Sequence, residues 1–149
     1  MLTLFKVFGS LALVACTATA LEKDFVDRIV QSAQNIERDA TTVDQALKNK
    51  QFDSGDVTRK LDGMDADVAK LKELVKELDS TDPKLSDRDR VVWDLVKQKV
   101  QLIEIFHGQK KVLAAEDFGK HRNLIRAHAK GLVLRAQKLQ QSAGTLSRG

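Results

Sequence analysis

The sequence contains very little cysteine, proline, tryptophan or tyrosine. Its 149 residues include one cysteine, one proline, one tryptophan and no tyrosine. A single cysteine excludes an intrachain disulfide, so the folded domain depends on side-chain packing for its stability. There is also no Cys-x-x-Cys-His sequence for covalent attachment of haem.

Motifs that accompany catalysis are missing as well. No glycine-rich segment precedes a predicted helix, which argues against a phosphate-binding loop. No nucleophile stands with a recognisable base and orienting acid. We therefore predict that the protein is not an enzyme and has no cofactor.

The first 20 residues have the layout of an export signal. Lys6 is their only charged residue, and an apolar run covers residues 7–15. A basic start, an apolar run of about 7–15 residues and small residues after it are typical of a secretory signal peptide. The run is too short for a membrane span, which takes about 20 apolar residues. We therefore expect export.

Two cleavage points fit this segment. Residues 18–20 (ATA) follow the small-x-small rule, and cleavage after them makes residues 1–20 the signal. Residues 13–16 (LVAC) resemble the lipobox of bacterial lipoproteins. That resemblance covers residues 1–16 only and implies a signal over residues 1–15 and a lipid on the thiol of Cys16. Residues 16–20 would then be a tether to a single domain over residues 21–149, which resembles no family that we recognise.

A capping pattern favours the second cleavage point. Residues 19–22 (TALE) are typical of a capping box, with Thr19 as N-cap and Glu22 in the first helical turn. Cleavage after Ala20 would remove this cap, whereas cleavage before Cys16 keeps it. We therefore predict a lipoprotein anchored in the outer membrane and facing the periplasm. A soluble periplasmic or secreted protein is the alternative.

The rest of the chain predicts an all-α fold. Strong helix formers dominate, and apolar residues recur every three or four positions in segments over about 21–50 and 56–80, from 86, and from 117. Long helices with short connections favour an antiparallel up-down-up-down four-helix bundle with coiled-coil-like packing. A three-helix arrangement with a fused last helix is the alternative.

The apolar pattern also predicts which residues face the core. In the second segment these are Val57, Leu61, Met64, Val68, Leu71, Val75 and Leu78, and in the third they are Val92, Val96, Ile103, Phe106 and Leu113. Lys99 and Lys110 interrupt the third set, and we expect their side chains to reach solvent at the helix edge. Trp93 is expected to pack at the start of this helix, and an exposed anchor at an interface is the alternative.

The third segment carries more apolar residues than one core face needs. Val91, Leu95, Leu102 and Ile105 lie beside its core set. A helix that is apolar over much of its circumference is either central or has a partner. This pattern indicates a homodimer through helix three, a partner protein or a lipid-like ligand there; a wide core stripe is the alternative.

Charge is divided unevenly along the chain. Residues 21–90 have a net charge of −4 and residues 91–149 a net charge of +7. The last helix is basic, and its candidate face for an anionic membrane or an acidic partner consists of Lys120, Arg122, Arg126, Lys130, Arg135 and Lys138. Neutralisation of the acidic half is the alternative. Nucleic acid is not expected, because no binding motif is present.

Three histidines are candidate ligands. Glu104 and His107 have the spacing used in di-iron bundles, but no second copy exists, and we expect both to lie toward the helix flank or solvent. His121 and His128 share the apolar stripe of the last helix, about 10 Å apart. Unaided, they are too far apart to chelate one metal ion, but they would serve a ligand, haem or pH-sensing site in the bundle interior.

These patterns together predict a non-catalytic interaction or structural bundle at the cell envelope. Its expected partner is an envelope protein or an anionic membrane surface. A small-ligand, haem or metal binder and a freely secreted bundle acting on an external target are the alternatives.

Overall fold

Within residues 21–147, four long helices form an antiparallel up-down-up-down bundle. The computed structural model describes residues 21–147, and its helices are α1 (Lys23–Ala46), α2 (Ser54–Ser80), α3 (Asp87–Glu116) and α4 (Phe118–Gly144). Helix α1 packs against α2 and α4, and α3 packs against α4 and, less extensively, against α2. The all-α prediction and the bundle topology are confirmed.

Acidic and hydroxyl side chains fix where three of the helices begin. Asp53 accepts hydrogen bonds from the backbone of α2, Ser86 from the backbone of α3, and Asp117 from the N–H of Lys120 in α4. Such side chains satisfy amide groups that have no partner within the helix. Asp117, in an extended conformation, is the one residue between α3 and α4, so these are two helices rather than one bent helix.

The start of α1 differs from the prediction. Glu22 is the N-cap residue, with extended backbone angles and no side-chain capping bond, so it does not occupy the first helical turn. The reason is that the preceding residue is held elsewhere: Leu21 is buried in the core, and its N–H donates to the carbonyl of Ser147 at 3.2 Å. The predicted capping box is therefore wrong. Thr19, Cys16 and both cleavage points lie outside the described residues.

The core of α3 is shifted from the predicted one. Its buried residues follow steps of three and four and are Trp93, Val96, Val100, Ile103, His107 and Lys110, besides Asp89 in the first turn. Val92, Phe106 and Leu113 are only partly buried. In α2 the predicted set is correct except that Leu74 is buried and Val75 is partly so. The shift in α3 arises because the apolar Phe106 was taken as the core residue, whereas the neighbouring polar residue His107 is the one that is buried.

Polar contacts close the end of the bundle where α3 begins. The buried Asp89 carboxylate accepts hydrogen bonds from the backbone N–H and the hydroxyl of Ser147, at 3.1 and 3.2 Å. Burial acts to raise the pKa of Asp89, but these bonds outweigh it and lower the pKa. Trp93 is buried as predicted, and its indole N–H donates to Asp79 at 2.9 Å.

None of the helices in residues 21–147 is both long and apolar enough to cross a membrane.

Candidate functional site

Helix α3 has a second apolar face on the side away from the core. We call it the outer stripe, and it consists of Val91, Leu95, Gln98, Leu102, Ile105, Gln109 and Val112. The five apolar members are between 42% and 62% exposed. Steps of four and three keep these residues on one side of a helix, and at about 100° per residue that side lies opposite the buried set. The outer stripe is therefore separate from the core.

The apolar surface continues onto α4. On this helix Leu124 is about half exposed. Leu124 lines a shallow groove between α3 and α4 together with Gln109, Val112 and His128. Contiguous exposed apolar surface is uncommon on monomeric proteins and marks interaction sites.

The side chain of Phe106 packs at the interface between α3 and α4. The guanidinium carbon of Arg135 lies 3.7 Å from the centre of its ring, and the His128 ring lies edge-on at 5.6 Å. A Cβ atom at Gly131 would lie 3.0 Å from Phe106 Cε1, so α4 passes close over the ring. His128 is thus a packing partner of Phe106.

The two histidines of α4 have different surroundings. His121 Nε2 lies 2.9 Å from a carboxylate oxygen of Glu116, and its side chain is largely buried. His128 contacts Phe106 instead. Among residues 21–147, no three His, Cys, Asp or Glu side chains lie close enough together to hold a metal ion.

The six basic residues proposed as one face divide into two groups. Arg122 donates to the carbonyl oxygens of Leu47 and Lys48 at the end of α1, at 2.8 and 3.0 Å. Arg126 pairs with Asp44 at 3.0 Å. Like these two, Arg135 has a partner within the bundle, the ring of Phe106. The exposed members are Lys120, Lys130 and Lys138.

Two polar residues, Lys110 and His107, form a cluster inside the bundle, although the sequence predicted that both lie toward its surface. Lys110 is 0% exposed, and its ammonium nitrogen lies 3.6 Å from the sulfur of Met64. His107 is buried one turn earlier on the same helix. The predictions that Lys110 reaches solvent and that His107 lies toward the flank are therefore wrong. Glu104 does face outward, where it pairs with Lys72 at 2.7 Å.

Burial dominates the electrostatics of Lys110. It lowers the pKa of the Lys110 amine to about 7, although the carboxylates of Asp39 and Asp65 act in the opposite direction. Asp39 on α1 also lies 3.5 Å from Arg38 and 3.9 Å from Lys60. Lys110 therefore loses its proton at a much lower pH than an exposed lysine does.

His107 connects this cluster to the surface through Asp65. Its Nε2 lies 2.5 Å from one oxygen of Asp65, and Lys111 binds the other oxygen. Burial lowers the pKa of His107, and the Lys110 and Lys111 charges add to this, outweighing the effect of Asp65. Nδ1 is buried and has no hydrogen-bond partner in the described part of the chain. A neutral imidazole with its proton on Nε2 fits both facts.

Sequence reasoning missed the cluster, although one signal was available. His107 and Lys110 continue the three-and-four spacing of Val96, Val100 and Ile103. In this conformation the amine of Lys110 is shielded from solvent.

Comparison with known proteins adds no family to this description. Protein-family models, curated proteins and solved structures were searched, and none matches the chain.

Proposed function

We propose that the protein is a non-catalytic docking module of a bacterial cell envelope. The observation that supports this most is the outer stripe of α3, whose apolar members are 42% to 62% exposed opposite the core. Burying one such side chain against a partner stabilises a complex by up to about 1.5–3 kcal/mol. Apolar side chains that are exposed to water gain this stabilisation only when a partner covers them.

The location is proposed from residues 1–16. The sequence LVAC resembles a lipobox, and Cys16 would carry the lipid. The start of α1 does not favour this cleavage point, because Glu22 is not in the first turn of the helix. The proposal therefore depends on the lipobox resemblance and on the layout of the signal.

Exposed lysines on α4 supply a further attraction to an envelope. Lys120, Lys130 and Lys138 are exposed, whereas the three arginines of the helix have partners inside the bundle. Stable attachment of a lipidated protein usually needs a second signal, such as basic residues near an anionic surface. These three lysines are the members of the predicted basic face that would serve this purpose.

Site-specific photo-cross-linking in the native host tests docking through the outer stripe. A photoreactive amino acid replaces Leu102 at the centre of the stripe, and in a matched variant it replaces Ala69, an exposed residue of α2. Docking predicts a cross-linked product from position 102, enriched in the membrane fraction, that is absent or much weaker from position 69. Equal yields from the two positions would contradict the proposal.

Intact mass tests the location separately. The processed chain in the membrane fraction is expected to begin at Cys16 and to carry the added mass of acyl chains. A soluble chain that begins at Leu21 would end the lipoprotein part of the proposal and leave the docking part standing.

A further inference from the structure

We infer that the partner of the outer stripe is a second copy of this chain, paired in parallel along α3. This inference rests on the proposed function and names the occupant of that face. In a parallel two-fold pair each residue of the stripe meets its own counterpart, as in a parallel coiled coil. The polar residues in the stripe suit pairing with a second copy, and the charges beside the stripe and the position of the chain start favour the parallel direction.

The polar positions of the stripe match one another in this pairing. Gln98 and Gln109 interrupt an otherwise apolar row. In the parallel register each glutamine faces the same glutamine of the partner subunit, where the two side-chain amides can exchange hydrogen bonds. A shift by one heptad would place a glutamine against leucine, and a buried amide without a partner costs about 1–3 kcal/mol. Among parallel pairings the glutamines therefore favour the register without a shift, whereas the direction of pairing is decided by the charges and the chain start.

Charges beside the stripe are complementary in the same register. Asp94 and Lys99 lie on opposite edges of the stripe, five residues apart. In a parallel pair, residues at these two positions of neighbouring helices approach each other, so Asp94 meets Lys99 of the partner subunit. The two-fold axis produces this ion pair twice. Within one chain Asp94 pairs with Lys97 at 3.1 Å, and the parallel pair adds Lys99 of the partner subunit to this contact. In an antiparallel pair, Lys99 would face Phe106 and Asp94 would face Ala115, so neither charge would gain a partner across the interface.

The position of the chain start also favours the parallel arrangement. Leu21 is bonded to Ser147, and Ser147 to Asp89 in the first turn of α3, so the chain enters the bundle at the end where α3 begins. Five residues from Cys16 to Leu21 reach at most about 17 Å. A parallel pair places both tethers at one end of the dimer, within reach of one bilayer. An antiparallel pair places them at opposite ends, about 45 Å apart along α3.

The glutamines argue against a membrane as the occupant of this stripe. An amide buried in lipid has no hydrogen-bond partner and costs several kcal/mol. The exposed lysines that suit an anionic surface lie on α4 and not on the stripe itself.

Sedimentation equilibrium of the processed full chain, purified from its host in detergent, tests the pairing. The expected result is a reversible dimer that becomes monomeric in Leu102→Asp. Ala69→Asp introduces the same charge on α2 and is expected to leave the dimer intact. A monomeric wild-type chain at all concentrations, or a dimer that persists in Leu102→Asp, would overturn the inference. Circular dichroism confirms that both variants remain helical.

A charge-mixing experiment tests the parallel register. Gln98→Glu alone and Gln98→Lys alone each place like charges face to face in a parallel dimer, so both are expected to dimerise at least tenfold more weakly. Mixing the two variants should restore a dimer, recognised by native mass spectrometry as one copy of each. In an antiparallel pair Gln98 faces Gln109, and undiminished self-association of Gln98→Glu would overturn the parallel arrangement.

The cross-linking experiment separates failure of this inference from failure of the proposed function. A product of position 102 with the mass of two chains agrees with self-association. A product containing a different envelope protein, together with a monomeric purified chain, would overturn the inference and leave docking intact. Equal cross-linking from positions 102 and 69 would remove both.

Discussion

The ammonium nitrogen of Lys110 lies 3.6 Å from the sulfur of Met64, and the lysine side chain is entirely shielded from solvent. A thioether is a weak acceptor and does not replace the hydration of an ammonium group. Burial accordingly lowers the pKa of Lys110 to about 7. The bundle therefore carries a lysine that loses its proton near neutral pH, and its stability should depend on pH for that reason.

Replacing Lys110 by methionine should remove this dependence. The pKa of the amine is about 7 in the folded chain and has its usual value of 10.5 in the unfolded chain. Between these values the unfolded chain binds more protons, so the free energy of unfolding rises with pH. Lys110→Met should abolish the rise and stabilise the protein at pH 7 by about 1–4 kcal/mol. Urea unfolding at pH 7 and pH 9 measures both effects.

The matched control for this experiment is Lys70→Met. Lys70 is an exposed residue of α2, and the variant keeps Lys110. The rise in stability between pH 7 and pH 9 should therefore persist in Lys70→Met. An equal rise in Lys110→Met would show that the amine does not cause it.

His107 should make the bundle sensitive to mild acid. Burial lowers the pKa of His107 in the folded chain below its usual value of 6.5. As the pH falls through 6.5, the unfolded chain takes up a proton that the folded chain resists, and the free energy of unfolding decreases. His107→Gln keeps an N–H group for Asp65 but cannot be protonated, so stability should fall less between pH 7 and pH 5.

The proton on Nε2 is a separate expectation about His107. Long-range nitrogen–proton NMR correlations at pH 7.5 should show a neutral ring protonated on Nε2, because this nitrogen faces the Asp65 carboxylate.

His128→Gln is the control for the measurement of stability between pH 7 and pH 5, since this variant retains His107 and its contribution. If His107→Gln and the wild type lose stability equally on acidification, the assignment to His107 is wrong.

The basic residues of α4 should separate into structural and surface groups. Arg126 and Asp44 form an ion pair in which both side chains are mostly buried. Arg126→Met leaves the Asp44 carboxylate buried and unpaired by this arginine, and should lower the free energy of unfolding by about 1–3 kcal/mol. Lys130→Met also removes one positive charge, but at an exposed position. It should change the free energy of unfolding by no more than about 0.5 kcal/mol. Equal effects in the two variants would contradict this division.

A side chain at position 131 should clash with the ring of Phe106, so glycine is required there. A Cβ atom there would lie 3.0 Å from Phe106 Cε1, and the ring is held on its face by Arg135. Gly131→Ala should therefore destabilise the bundle by about 1–2 kcal/mol, because overpacking outweighs the better helix propensity of alanine. Thermal unfolding with urea titration measures the change.

Gly63 on α2 provides the comparison for Gly131. A Cβ atom at Gly63 would meet Asp39 at an ordinary 3.9 Å. Gly63→Ala should stabilise the bundle by about 0.5–1 kcal/mol through helix propensity alone. If Gly131→Ala were also stabilising, α4 would not pass as close to Phe106 as the structure has it.

Periodicity was sufficient to predict the fold, since the apolar residues of α2 recur without a break and turn residues separate the segments. Ser86 and Asp117 also cap α3 and α4 near the predicted starts. The second apolar face of α3 was visible because Val91, Leu95, Leu102 and Ile105 keep their own phase. These features depend on neighbouring residues of one segment, which a sequence displays directly.

The buried polar cluster depends on contacts between helices, which periodicity does not display. His107 meets Asp65, 42 residues away, and Lys110 meets Met64, 46 residues away. A lone lysine or histidine on a helix is assigned to the surface because burying it unpaired is costly. Its partners on other helices remove part of that cost, and only the assembled bundle brings them together.

The proposed function depends most directly on α3 having two separate faces, and two adjacent residues test this. Leu102 belongs to the outer stripe and Ile103 to the core. At a dilution where the chain is monomeric, Leu102→Asp should change the free energy of unfolding by no more than about 0.5 kcal/mol. Ile103→Asp should lower it by at least about 4 kcal/mol or prevent folding. Equal destabilisation by the two variants would place Leu102 in the core and contradict the docking face.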